Sequence, residues 1–208
     1  MSYKIVKNRD YLHKKTTPVL TVEEGQEIAN KLIETLQTGL PNSGNSLGLS
    51  ANQIGINKSV CVVTVRKDAP PLVLMNPVIS EASKEKIIYL EGCLSLPGKR
   101  TSTLRSIKFL VTTLNHANPI PFGPDKEPLD SSTIGADYGI LEAVCVQHEI
   151  DHLNGVLMTD DGVRFTPPQP KTIKYGRNSK VMVEKDGESQ YIKYKSALNL
   201  IKTGWKII

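Results

Sequence analysis

The chain has 208 residues, of which 39% are hydrophobic and 23% charged. That suits one ordinary domain with a small appendage and gives enough core to fold without disulfides or a structural metal. No apolar run approaches the ~20 residues that span a bilayer. The basic opening residues 1–15 lack the apolar stretch of a secretory signal, so neither a membrane nor an export route is expected. The net charge of +5 is uneven: residues 171–208 hold nine Lys and Arg against three acids, whereas residues 1–170 hold 17 against 18.

In chain order, Thr21-Val-Glu-Glu24 has the form of a capping box. Behind it Ile28, Ala29, Leu32, Ile33 and Leu36 recur at helical spacing, which predicts an amphipathic helix over 22–38. TGLPNSGNS (38–46) reads as a breaker-rich loop. SLGLSANQIG (46–55) has the small residues of a helix start, where backbone amides and the Gln53 amide can face a substrate. SVCVVTV (59–65) reads as a buried strand. PPLVLMNPVIS, KEKIIYLEGCLSLPG and SIKFLVTTLN (106–115) read as further strands. Residues 116–139, with four prolines and three glycines, read as one long irregular piece: a lid, a binding loop or an insertion.

From Ile140 the pattern turns helical, with Leu141, Val144, Cys145, His148 and His152 along one side and Gly155 as a left-handed cap. TPPQPKT (166–172) reads as a stiff linker. Beyond it, two strand-like runs flank Asp186-Gly187, a hairpin signal. SALNLIKTG then reads as a short helix and WKII as a last strand. The division expected is a body over 1–165, the linker, and a small basic ββαβ-like extension over 173–208. Cys61, Cys93 and Cys145 form no disulfide framework. Reduced thiols are expected, in a cytoplasmic compartment or its organellar or host-cell equivalent.

The stretch CVQHEIDHLNG (145–155) carries the chemistry. Residues i and i+4 of a helix share a face, so His148 and His152 can offer two imidazole nitrogens to one ion. Glu149 stands beside them as a general base, the H-E-x-x-H arrangement. The bland reading is a helix whose histidines only pack or face solvent, but two of the chain's four histidines stand in this spacing. A catalytic ion wants a third protein ligand and an open position. No histidine follows His152, and Glu184 and Glu188 belong to the basic tail. Upstream, LEGCLSLPG offers Cys93 beside Gly92. A single cysteine is more often a small buried hydrophobe, but a two-histidine site short of a partner reverses that preference.

Three segments together resemble the peptide deformylase family: Ser46-Leu-Gly48-Leu-Ser50-Ala-Asn-Gln53, Glu91-Gly-Cys-Leu-Ser95 and Gln147-His-Glu-Ile-Asp-His152. The order and residue types agree over roughly residues 5–165. The departures are Ser46 and Ser50, where the family carries glycine and alanine, the long 116–139 segment and the basic tail. The resemblance implies an α+β fold of short antiparallel strands around a central metal-binding helix, with residues 1–165 as the catalytic domain. It implies Cys93, His148 and His152 as ligands of one divalent ion, Fe²⁺ in cells, with Zn²⁺, Ni²⁺ or Co²⁺ also accommodated. It further implies hydroxide on that ion attacking the formyl carbon of N-formylmethionyl peptides. Glu149 acts as general base and acid, and the Gln53 side chain and the Leu94 N–H stabilise the oxyanion.

By position in these motifs, the methionine pocket draws on Leu47, Gly48, Tyr89, Leu141, Val144 and Cys145. Arg100 meets the peptide further along, and Glu91 and Asp151 orient the imidazoles or loops. Partners expected are formylated chains emerging from the ribosome, with ribosomal RNA contact through the basic tail. Two rivals stand beside this reading. A zinc endopeptidase would need a downstream third ligand. A noncatalytic RNA- or ribosome-binding protein would leave the Cys93, His148, Glu149, His152 and Gln53 set without a task.

Overall fold

The computed structural model describes residues 3–38, 46–66, 68–126, 136–167, 176 and 178–208. By contact it divides into two compact units, Met1–Thr166 and Pro167–Ile208. No described helix is long and apolar enough to cross a membrane.

In the first unit a short helix, α1 (Arg9–Leu12), precedes α2 (Val22–Thr38). The helix α2 begins where Thr21 Oγ1 accepts the Glu24 N–H, while the Glu24 carboxylate accepts the Leu20 N–H, one residue before the Thr21 N–H of the expected box. Strands β1 (Gly48–Ser50), β2 (Val60–Val63) and β3 (Leu72–Met75) form an antiparallel sheet in that order. The unbroken apolar run of β2 follows from burial on both faces. Val60 and Val62 pack with Ile28, Ala29 and Leu32 of α2. Cys61 and Val63 pack on the other side with Val146, Ile150 and Leu153. Those three residues lie on α3 (Tyr138–Leu153), so the sheet is held between two helices.

A second sheet runs β4 (Val78–Ser80), β7 (Phe109–Thr112), β8 (Ile120–Phe122), and β5 (Lys86–Gly92) pairs with β6 (Arg100–Ser106). Several expectations are corrected here. Residues 106–115 are not one strand: the chain bends at Ile107 and Lys108, so β6 pairs with β5 while β7 joins another sheet. Residues 46–55 are not a helix start throughout, because Gly48–Ser50 is a strand paired with β2 and only Ala51–Ile54 forms a 3₁₀ turn. The 116–139 segment is not irregular throughout. It contains β8, where Pro121 is tolerated because the strand lies at a sheet edge and needs no ladder donor there. Residues 127–135, 39–45 and most of the expected linker lie outside the described residues.

The helix α3 starts two residues before Ile140, because the Asp137 side chain caps it by accepting the Ile140 N–H at 3.1 Å. It ends at Asn154, and Gly155 follows with φ +76°. The second unit orders β9 (Lys180–Lys185), β10 (Glu188–Lys193), α4 (Tyr194–Ile201) and β11 (Lys206–Ile207), with the sheet order β10-β9-β11.

Gly155 combines a left-handed backbone with a tight approach, since a Cβ there would meet the His13 carbonyl oxygen at 2.4 Å. Gly155→Ala is expected to destabilise the first unit by about 2–3 kcal/mol. A thermal melt should show a fall of about 5–10 °C in Tm; an unchanged melt would mean the turn relaxes freely.

Candidate metal centre

The helix α3 is buried along most of its length, including its polar residues Gln147, His148, Glu149 and His152. Buried polar groups need partners, and these partners fix the helix. Gln147 clasps the backbone of β6 at one residue: its Oε1 accepts the Ser106 N–H at 2.9 Å and its Nε2 donates to the Ser106 carbonyl at 3.0 Å. Asn52 donates to the His152 carbonyl at 2.6 Å, tying the end of α3 to the 3₁₀ turn.

The i, i+4 spacing places the His148 and His152 rings edge to face, with centroids 4.9 Å apart. Cys93 follows the last residue of β5, and its Sγ lies 3.1 Å from His152 Nε2. One donor atom from each of Cys93, His148 and His152 falls within 4.8 Å of the others. The other nitrogen of His148, Nδ1, bonds the Glu91 carboxylate at 2.6 Å. Burial pulls the His148 pKa down, but its bonds to Cys93 and Glu91 outweigh burial and hold it above the ordinary value. Burial and the charges of His148 and Arg105 push His152 well below its ordinary value. A thiol and two imidazoles converging on one point fit a borderline-soft divalent cation. His152 Nδ1 and Glu149 Oε2 are buried with no hydrogen-bond partner among the described residues.

Glu91 is the centre of a buried polar network. Arg105 grips it through Nε at 2.6 Å and Nη2 at 2.9 Å, and Thr103 donates to the same carboxylate. The remaining Arg105 arm reaches Asp151 on α3. Burial alone would raise the Glu91 carboxyl, but His148 and Arg105 hold it down at about 2. Glu91 and Asp151, expected to orient the imidazoles or loops, therefore meet at Arg105, which sequence reasoning missed. The available signal was a charged residue on the side of β6 that faces inward with Thr101 and Thr103.

Glu149 lies against Gly48 of β1: a Cβ there would come within 2.7 Å of its Oε1 and 2.8 Å of Cys145 Sγ. Burial pushes the Glu149 carboxyl up to about 7, against the opposing influence of His148. Gln53 is held by its carbonyl end, which accepts both the N–H and the hydroxyl of Ser50 at 2.9 Å. Its amide nitrogen is thereby turned to Ser95 Oγ at 3.2 Å and toward Cys93 Sγ at 3.7 Å. Ser50, one of the departures from the family pattern, thus adds a second hold on Gln53.

These groups open on one cleft of about 1300 Å³. The expected substrate residues Leu47, Gly48, Tyr89, Arg100, Leu141, Val144 and Cys145 all line it, together with Gln53, Cys93, Leu94, His148 and Glu149. Leu141 and Cys145 also pack against the core between β2 and α3, and Val144 against Ile87 and Ile140, so these residues belong to the core as well as to the cleft wall. The N-terminal residues Tyr3, Lys4, Ile5 and Lys7 complete a wall that no motif indicated.

A thiol upstream and an H-E-x-x-H helix on a mixed α and antiparallel β scaffold define a metallohydrolase type of site. The family model for polypeptide deformylase matches residues 2–167. A peptide deformylase of Thermosynechococcus vestitus is 35% identical over 138 residues, covering 65% of this chain and 64% of its own length. One of Rhizobium meliloti is 35% identical, covering 72% of this chain and 78% of its own. The crystal structure of peptide deformylase from Thermotoga maritima superposes with a TM-score of 0.60 at 30% identity, over 80% of this chain and 99% of that one. The chain belongs to the polypeptide deformylase family. The family match ends at residue 167, where the second unit begins.

Two outcomes are expected. Gly48→Ala should displace Glu149 and lower turnover by roughly a hundredfold while melting within a few degrees of the parent chain; near-normal turnover would mean the carboxylate has room to move. Arg105→Met should leave Glu91 as a buried, half-partnered charge and destabilise the fold by about 3–5 kcal/mol in a denaturant titration.

Proposed function

We propose that the chain removes the formyl group from N-formylmethionyl ends of newly made polypeptides, releasing formate and a free amino terminus. It rests on one juxtaposition: the Cys93, His148 and His152 donors converge in a cleft that also presents the buried Glu149 carboxylate and the Gln53 amide. Cys93, His148 and His152 would hold one divalent ion, Fe²⁺ in cells and with Zn²⁺, Ni²⁺ or Co²⁺ tolerated. When bound, the ion supplies a Lewis acid that polarises the formyl oxygen and makes water acidic near neutral pH.

The chain's own groups do the rest. Glu149 accepts a proton from water as the water oxygen bonds to the formyl carbon. It returns that proton to the nitrogen as the C–N bond breaks, and a carboxyl near neutrality suits both transfers. Gln53 Nε2 and the Leu94 N–H donate to the oxygen on which charge develops. Ser50 keeps the Gln53 carbonyl end away from that oxygen, so a donor and not an acceptor faces it. Glu91 takes the Nδ1–H of His148 and leaves its other nitrogen for the ion. Leu47, Gly48, Tyr89, Leu141, Val144 and Cys145 would receive the methionine side chain, and Arg100 the peptide beyond it. Such a substrate is met in the cytoplasm or its organellar or host-cell equivalent, as chains leave the ribosome.

The endopeptidase rival is not favoured, since among the described residues the third converging donor is the upstream Cys93. Formate release from formyl-Met-Ala-Ser by anaerobically prepared, Fe²⁺-loaded protein tests the reading. Wild type should turn over. Glu149→Ala at equal metal content should lose about 10²–10⁴-fold, and Gln53→Ala about 10²–10³-fold in kcat. A folded, metal-loaded wild type that releases no formate would overturn it.

A further inference from the structure

Within the second unit, the described residues pack against one face of the three-stranded sheet. Val181, Val183, Ile192 and Ile207 point to the side where Ala197, Leu200 and Trp205 pack. Directly opposed residues of antiparallel strands share a face, so the register defines what the other side presents. Tyr191 lies opposite Met182, and Ile208 continues that row through its N–H bond to the Met182 carbonyl. Tyr191 is 62% exposed, Ile208 66% and Met182 38%. Above this row Lys193 lies directly opposite Lys180, and below it Lys206 lies opposite Glu184.

Two features say what this face meets. First, like charges directly across a strand pair destabilise it, yet Lys180 and Lys193 are opposed, and neither has a carboxylate partner among the described residues. An anionic group set between them relieves that repulsion. Second, the row beside them presents an exposed aromatic ring, with the Lys180 ammonium 5.8 Å from its centroid. A ring that can stack on a base, next to ammonium groups that can meet the flanking phosphate, is the pairing that single-stranded nucleic acid binders use. A bilayer interface favours tryptophan, but the chain's single tryptophan, Trp205, packs on the covered side. The location also agrees with the charge ledger, because the whole basic excess of the chain lies in residues 171–208.

We propose that the uncovered face of the β10-β9-β11 sheet binds single-stranded RNA, one base stacking on Tyr191 with Met182 and Ile208 beside it, and Lys180 and Lys193 taking the adjacent phosphate. Lysine's flexible stem lets Lys180 leave the ring for the phosphate. None of these residues lines the catalytic cleft, and the proposal does not rest on the deformylase reading.

The test uses the full chain and a fluorescein-labelled ten-nucleotide oligouridine, followed by anisotropy at several salt concentrations. Tyr191→Ala should weaken binding by about tenfold, while Tyr191→Phe stays within about twofold because the ring face is kept. Replacing Lys180 and Lys193 together by Gln should lower affinity and flatten the slope of log affinity against log salt by about one to two. In each variant, unchanged Trp205 emission and unchanged turnover of a short formyl peptide establish that the protein is folded. The proposal is overturned if wild type binds no RNA, or if Tyr191→Ala binds as wild type does, which would leave only adhesion to a polyanion. It is equally overturned if anionic phosphatidylserine vesicles are bound in preference to RNA. Loss of formate release with RNA binding intact would count against the catalytic reading alone.

Discussion

The buried Glu91 carboxylate ties β5 to α3 by a direct bond to an imidazole, on top of the apolar packing between them. It stands one residue from the end of β5, two before Cys93, and bonds the first imidazole of α3. Arg105 binds both of its oxygens and extends a third arm to Asp151, one turn along α3 from His148. A charge placed where water cannot reach is tolerable only when its partners are complete. The strand, the helix and β6 are therefore held together by the same requirement. The separation of thiol and imidazoles, on which any metal affinity depends, is a by-product of satisfying that carboxylate.

The same logic of satisfaction extends outward. Gln147 gives its amide to both backbone groups of Ser106, and Asn52 closes the other end of α3 onto the 3₁₀ turn that carries Gln53. The helix is apolar toward β2 and polar toward the cleft, yet buried on both sides. Packing fixes its position, and hydrogen bonds fix its rotation. Gly48 then sets how closely β1 can approach Glu149, since the place of a Cβ is already filled by the carboxylate and the Cys145 sulfur. A carboxylate held this way has little freedom to turn away from the cleft.

Where sequence reasoning was accurate, the signal was local and periodic. The spacing of Ile28, Ala29, Leu32 and Leu36 marks α2, the β-branched run at 59–65 marks β2 at Val60–Val63, and Asp186-Gly187 marks the hairpin between β9 and β10. Where it erred, long-range pairing decided. Nothing in SIKFLVTTLN says that the chain bends at Ile107 and Lys108 to change sheets. Nothing in Gly48-Leu-Ser50 says strand until Val62 and Cys61 are seen to pair with it. Asp137, by contrast, was a readable cap signal that the run of prolines and glycines around it obscured.

The sequence by itself determined which groups could do chemistry: two imidazoles a helical turn apart, a carboxylate between them, and a thiol and a side-chain amide in flanking motifs. Residue type and short-range spacing suffice for that, because helix periodicity is a local property. Only the tertiary structure decided how those groups are held. The buried Arg105, the N-terminal wall of the cleft and the open Tyr191 face all arise from residues distant in sequence, or from a sheet register that no local pattern encodes. Their positions follow from burial and hydrogen-bond completion, which exist only once the chain has closed on itself.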